Sequence, residues 1–328
     1  MSVESSGRTG AAGAIDVHAH LLPRPLADRA NRARIGERTT SAAPDSLIDL
    51  ETRLRAMDAM GVERQVVSPW IELAPGGLEP RAGSAHLRRV NDALAQEVAR
   101  APDRLVGMAM VPQDDGEAAA VELDRSVTDL GMCGALLTTS GVGMSLASAA
   151  LAPLWEQAEM RRALLLIHPY RSAESTRCQA EGIENLVGTP SEGTLAIAGL
   201  LRAGVLDRFP DLRLCAVHGG GALPILLERI EALWDLSADT GGARPTELIG
   251  KLYFDTLTHG ERALRWLIET VGAERLMLGS DSPFATGDSD PRAPVARLTT
   301  LSAADRARIL SGTAASLLAQ VDRTSVRG

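Results

Sequence analysis

Short apolar runs alternate along this chain with stretches whose apolar residues recur at helical spacing. The first run, Ala14-Ile15-Asp16-Val17-His18-Ala19-His20, breaks into Leu-Leu-Pro-Arg-Pro, which cannot continue a strand. Residues 46–60 place Leu47, Leu50, Leu54, Met57 and Met60 on one helical face and stop at Gly61. Gln65 to Pro69 reads as the next strand. The alternation then repeats: helix 84–101 with strand 104–110, helix 116–130 with strand 133–138, and helix 149–162 with strand 163–168. Helix 193–207 precedes strand 212–218, helix 221–236 precedes strand 251–256, and helix 260–272 precedes strand 275–280.

Continuous apolar runs suit parallel strands buried on both faces. Eight such units predict an α/β fold, a closed (β/α)8 TIM barrel, although a doubly wound open sheet gives similar local patterns. From Pro291 onward the pattern predicts additional C-terminal helices over 302–310 and 312–320. Residues 1–12 are small and polar and are expected to form a disordered tail, leaving 13–328 as a single barrel domain.

Composition narrows the function classes. At 328 residues, with 45% hydrophobic and 23% charged residues, the chain matches an ordinary soluble protein. It has no apolar run long enough to span a membrane and no basic-then-apolar leader, so a cytoplasmic location is expected. A net charge of −8 argues against a nucleic-acid partner. Lys251 is the only lysine, so it alone decides whether a Schiff base or a carboxylated-lysine bridge between two metals is available. Cys133, Cys178 and Cys215 lack CxxC spacing and read as reduced thiols.

The polar residues are informative by position. His18 and His20 end the first strand, two residues apart and therefore on one side, with Asp16 behind them. His168 ends the fifth strand, His218 the sixth, and Asp281 follows the eighth. In a barrel all strand C-termini open on one face, so these five side chains converge there. Each histidine alone reads more readily as a hydrogen-bonding residue; their joint placement points to a metal site. His86 and His259 keep the ordinary reading, with His259 placed where it could line the pocket rim.

Neutral imidazoles suit zinc and other borderline divalent ions, and three histidines with one carboxylate leave positions open for water and substrate. A water held there ionises near neutral pH. His218, followed by Gly219-Gly220-Gly221, is the candidate to exchange its proton, the glycines letting backbone and substrate approach closely.

Taken together, Asp-x-His-x-His, His168-Pro169, His218-Gly219-Gly220-Gly221 and Gly279-Ser280-Asp281-Ser282-Pro283-Phe284 resemble the amidohydrolase superfamily. They most resemble its decarboxylase branch, typified by aminocarboxymuconate-semialdehyde decarboxylase and γ-resorcylate decarboxylase. Agreement extends to the run from Arg53 through Met57 and Asp58 to Gly61-Val62, and to Asn91-Asp92. The resemblance runs from about residue 13 to residue 320. It implies that His18, His20, His168 and Asp281 bind one Zn2+, or Mn2+ or another divalent ion, with His218 as the acid/base acting on the metal-bound water. It also implies a homodimer in which Arg229 reaches the neighbouring site to hold a substrate carboxylate; the plain alternative for Arg229 is a solvated helix charge.

Two departures stand out. The loop after His20 is shorter than in the semialdehyde decarboxylase, so the second carboxylate-binding arginine has no direct counterpart, and Arg38 or Arg34 is the available substitute. Where two-metal members carry a bridging lysine, this chain has Ala135-Leu136-Leu137-Thr138, which supports a single metal.

The expected activity is therefore metal-dependent, non-oxidative decarboxylation of an unsaturated or aromatic carboxylic acid, with His218 and Asp281 managing the proton. Phe284, Tyr170 and Trp70, each just past a strand end, are the expected pocket lining; core or rim packing is the competing role, above all for Trp70. The rival activity is hydrolysis or hydration of a lactone, amide or enol on the same site, and a third reading is a catalytically silent binding protein, which the intact set of chemical residues disfavours.

Overall fold

The computed structural model describes residues 13–27, 44–139, 144–171, 174–236 and 243–324. The segments 1–12 and 28–43, and with them the predicted tail, Arg34 and Arg38, lie outside the described residues.

Two successive three- and six-stranded parallel ladders make up the sheet: β1 (Ala14–Leu21), β2 (Val62–Pro69) and β3 (Leu105–Gly107), then β4 (Ala109–Met110), β5 (Gly134–Thr138), β6 (Leu164–His168), β7 (Arg213–Ala216), β8 (Tyr253–Asp255) and β9 (Leu276–Met277). β3 and β4 are halves of one barrel strand. At their junction the Met108 N–H goes back to the Val67 carbonyl at 3.0 Å, while the Gly107 carbonyl accepts from Cys133 N at 2.9 Å. The predicted strand 104–110 is thus interrupted where its bonding crosses from one neighbour to the other.

The ring closes between β1 and the chain that continues β9. Val17 N donates to the Leu278 carbonyl, Asp281 N to the His18 carbonyl, and His20 N to the Ser282 carbonyl, each at 2.8 Å. The result is the eight-stranded α/β barrel. β9 is shorter than the predicted 275–280 because Gly279, Ser280 and Asp281 leave the ladder to serve the site. Strands β5 and β6 are buried along their whole length, as expected for strands covered inside by core side chains and outside by helices.

Helix ends follow local chemistry. Asp49 caps helix Leu50–Met60 by accepting the Thr52 N–H at 2.8 Å, and Gly61, at φ 66°, ends it in the left-handed region. The expected helix over 46–60 therefore begins later, after a short 3-10 turn at Asp45–Leu47. The predicted helix 193–207 starts earlier, at Thr189–Pro190, and is broken at Gly204 (φ 65°) into Thr189–Arg202 and Val205–Arg208. After β9 come the C-terminal helices Ala303–Ala307 and Thr313–Ala319, joined by a π-helical turn and packed on the barrel's outside. Cys133, Cys178 and Cys215 are free thiols, all buried.

No helix among the described residues is long and apolar enough to cross a membrane.

Candidate metal centre

His18, His20 and Asp281 come together because β1 is bonded directly to the chain after β9; His168 arrives as the last residue of β6. One ligand atom from each of the four lies within 4.8 Å of all the others, and all four residues are buried. The ring centroids of His18, His20 and His168 stand 4.9–5.4 Å apart in edge-to-face arrangements.

The partners behind each ring settle which nitrogen carries the proton. His18 Nδ1 donates to the Asp255 carboxylate at 2.7 Å, and His168 Nδ1 to the Pro169 carbonyl at 2.7 Å. Ser68 Oγ gives its own hydrogen to the Ala19 carbonyl at 3.2 Å, so at 3.1 Å it accepts from His20 Nδ1. All three Nε2 atoms therefore carry lone pairs. Those of His18 and His168 are buried with no hydrogen-bond partner, and Asp281 Oδ1 lies 3.4 Å from His18 Nε2 and 3.1 Å from His20 Nε2. Three nitrogen lone pairs facing a carboxylate repel one another unless a cation sits among them, so the donor set fits one divalent ion with room for further ligands.

Burial opposes the charge on Asp281, yet the adjoining His20 and the other imidazoles outweigh it and hold the carboxyl below its usual range. Burial also opposes protonation of His18, but the bond to Asp255 and the charge of Asp281 outweigh it and raise its pKa. At His20 burial outweighs the nearby Asp281 and lowers the pKa, and at His168 burial and the adjoining imidazoles push it well down. Burial thus favours neutral imidazoles at His20 and His168, the form that ligates a metal.

Behind the ligands lies a buried polar network. Asp16, the third residue on the His18–His20 face, accepts from Gln65 Nε2 at 2.8 Å, Ser280 Oγ at 2.5 Å and the His18 N–H at 3.0 Å. Arg53, only 2% exposed, donates to Gln65 Oε1 at 2.6 Å and to the His20 carbonyl, while burial lowers its pKa to about 10. Asp16 and Arg53 thereby hold the end of β1 and the turn after β9 in register.

His218 stands beside the cluster, 5.2 Å from His18 and 5.4 Å from His168 between ring centroids, and is only partly buried. Its backbone is left-handed at φ 56°, which turns the side chain out of β7 towards the mouth. Asp255 links it to the ligands: Oδ2 accepts from His18, and Oδ1 accepts the Gly219 N–H at 2.8 Å. Burial and the nearby His18 imidazole push the His218 pKa to about 4.

The glycines after His218 clear space for the protein itself. A Cβ on Gly220 would lie 2.7 Å from the Phe254 ring, and one on Gly221 would lie 2.2 Å from the Pro190 carbonyl oxygen, both at positive φ.

The remaining predicted residues fall in different places. Phe284 lies against the site, its ring 5.6 Å from that of His20. Tyr170, two residues beyond His168, lines a cleft of about 800 Å³ together with Glu72, Arg171 and Gln179. Trp70 is 3% exposed and packs with Leu22, Leu47, Leu73 and Val90, so packing is the role its surroundings support. Arg229 is exposed on helix Leu223–Leu233. Lys251 precedes β8, at the opposite mouth from the histidines, where neither a Schiff base nor a metal bridge could involve it. His86 bonds the Leu73 carbonyl through Nε2 at 2.8 Å, an ordinary structural role.

Sequence reasoning missed Asp255 and Ser68. The available signal for Asp255 was a lone carboxylate closing the apolar run Tyr253-Phe254-Asp255 at a strand's C-terminal end.

Known proteins resemble this chain over most of its length. A 2-amino-3-carboxymuconate-6-semialdehyde decarboxylase of Dictyostelium discoideum is 29% identical, covering 93% of this chain and 91% of its own. A γ-resorcylate decarboxylase of Rhizobium radiobacter is 30% identical over 80% of this chain and 85% of its own. In three dimensions, a dihydroxybenzoic acid decarboxylase of Polaromonas sp. JS666, solved with manganese and 2-nitroresorcinol, shares the fold. Its TM-score is 0.79 at 24% identity, covering 94% of this chain and 97% of that one. The family model described as amidohydrolase matches residues 15–319, and the chain belongs to that family.

Proposed function

We propose that this protein is a metal-dependent, non-oxidative decarboxylase of an unsaturated or aromatic carboxylic acid. The observation that carries the reading is the convergence of three Nε2 lone pairs and Asp281 Oδ1 beside His218, whose side chain makes no hydrogen bond among the described residues. Decarboxylase relatives covering most of the chain support it.

His18, His20, His168 and Asp281 would hold the ion. Zinc suits this donor set, and manganese, present in the Polaromonas structure, suits it too. When bound, the ion supplies a Lewis acid that polarises substrate oxygens and offsets developing negative charge. The chain's own residues do the rest. When the bond to the departing CO2 breaks, its electron pair stays on the substrate carbon, which then takes a proton. His218, beside the ligand cluster, is assigned the transfer; Asp281 Oδ2, 3.3 Å from Thr286 Oγ1, is the second proton-handling group. Phe284 and Tyr170 present aromatic faces suited to a flat, conjugated substrate.

Arg229 is assigned to the substrate carboxylate of a second copy in a homodimer. It sits within an apolar stripe on its helix: Ile225 is 65% exposed, Leu226 37% and Leu233 40%, with Leu236 at 81% just beyond. Residues four apart share a helix face, so Ile225, Arg229 and Leu233 form one row. An exposed apolar row with an arginine at its centre is what a self-complementary interface would cover.

The test is product analysis on metal-loaded protein with aromatic and muconate-type acids. Release of CO2 with the expected protonated product supports the assignment; incorporation of labelled oxygen from water without CO2 would move it to the hydrolase or hydratase class.

A further inference from the structure

The barrel's other mouth holds a second polar concavity, remote from the histidines. It is a groove of about 620 Å³ where the chain enters β6 to β9, closed on one side by the end of helix Thr313–Ala319. Arg162 precedes β6, Arg213 opens β7, Lys251 precedes β8 and Arg275 precedes β9, so topology alone gathers four cations, including the only lysine of the chain.

Their partners set them apart from the other arginines. Arg104, Arg125 and Arg161 are each matched to a carboxylate. Among the described residues, none of the four groove cations makes an ion pair. Arg213 acts as a strut, donating to the carbonyls of Arg162 at 3.0 Å and Leu317 at 3.2 Å and to Gln320 Oε1 at 2.7 Å. Lys251 Nζ makes one bond, to the Leu206 carbonyl at 3.2 Å, leaving two of its three donors. Arg275 stands over the Tyr253 ring at 5.1 Å, and the Arg162 side chain is exposed. Two carboxylates line the same groove: Glu159, which accepts the Asp211 N–H at 2.7 Å, and Asp211. Positive charge still exceeds negative there, in a chain whose net charge is −8.

Gathering four cations against two carboxylates is unfavourable, and a concave wall focuses their field. Guanidinium forks and an ammonium are the groups that hold multivalent oxyanions. We propose that this groove binds a small polyvalent oxyanion, of phosphate or polycarboxylate type, through Arg162, Lys251 and Arg275.

The test is calorimetric titration of metal-loaded protein with inorganic phosphate and, separately, with tricarballylate, at low ionic strength. One saturable site is expected, with affinity at least tenfold weaker in the double variant R162Q/R275Q, and the tighter of the two anions identifies the chemical source. An independent readout needs no variant: acetylation of Lys251, followed by mass spectrometry, should be slowed by the same anion at the same concentration. The proposal is overturned if neither anion saturates the wild-type protein, if the double variant binds as tightly, or if Lys251 is acetylated at an unchanged rate. Decarboxylase activity is not part of the readout, so failure here leaves the metal centre's assignment untouched, and the reverse also holds.

Discussion

Asp255 Oδ2 accepts the Nδ1 proton of His18 at 2.7 Å, and its other oxygen accepts the N–H of Gly219, next to His218. One carboxylate at the end of β8 therefore fixes both the tautomer of a ligand and the backbone that presents the proposed acid/base. Replacing Asp255 with Asn removes an obligatory acceptor and lets His18 turn its proton towards the ion. Metal affinity should fall by about 10–100-fold. Competition with a graded chelator series measures it; unchanged affinity would mean that Asp255 does not set the tautomer.

His168 and His218 should separate metal holding from proton transfer. His168→Ala removes an Nε2 donor from the cluster, and elemental analysis should show the metal depleted. His218→Ala should keep its metal and lose about 10²–10⁴-fold in turnover. A His218 variant with full activity would refute its assigned role.

Gly220 tests what the glycine run is for. Gly220→Ala places a Cβ 2.7 Å from Phe254 at φ 75°, combining overlap with backbone strain. A loss of about 2–4 kcal/mol in unfolding free energy is expected from the two effects together. Chemical denaturation reads this directly. If stability is unchanged while substrate KM rises, the glycines serve the ligand.

Arg53 is buried between Gln65 and the His20 carbonyl, with Asp16 as its nearest negative charge. Arg53→Met leaves Gln65 Oε1 and the His20 carbonyl buried without their donor. About 1–3 kcal/mol of stability should be lost for each acceptor left unsatisfied. Urea titration, with metal content followed in parallel, shows whether the end of β1 loosens as well.

Arg229 and the apolar row around it make the assembly testable. Ile225→Asp with Leu233→Asp should shift sedimentation from dimer to monomer. Arg229→Ala should leave the dimer intact and raise KM for the carboxylic acid. A monomeric wild-type protein would remove the basis for placing Arg229 in a neighbour's site.

Much of this protein was legible in its sequence because strand ends carry their own signatures. A barrel gathers the C-termini of all its strands at one mouth, so a histidine that closes an apolar run is assigned to the site by topology alone. His18, His20, His168 and Asp281 were found that way, as was the position of His218. Strand lengths were less legible. The break at Met108 and the early end of β9 depend on which neighbour each backbone group bonds, which no local pattern encodes.

What only the tertiary structure decided is what stands behind each ligand. Asp255 is 237 residues from His18 and Ser280 is 264 from Asp16, and no periodicity links partners at such separations. The same holds for the glycines after His218, whose reason is the Phe254 ring and the Pro190 carbonyl, and for Trp70, which packs in a satellite core. Side-chain alternation is written locally, so it says which residues face the barrel's mouth. Tautomers, steric limits and counter-charges arise from groups brought together by closure of the ring, and only the closed ring shows them.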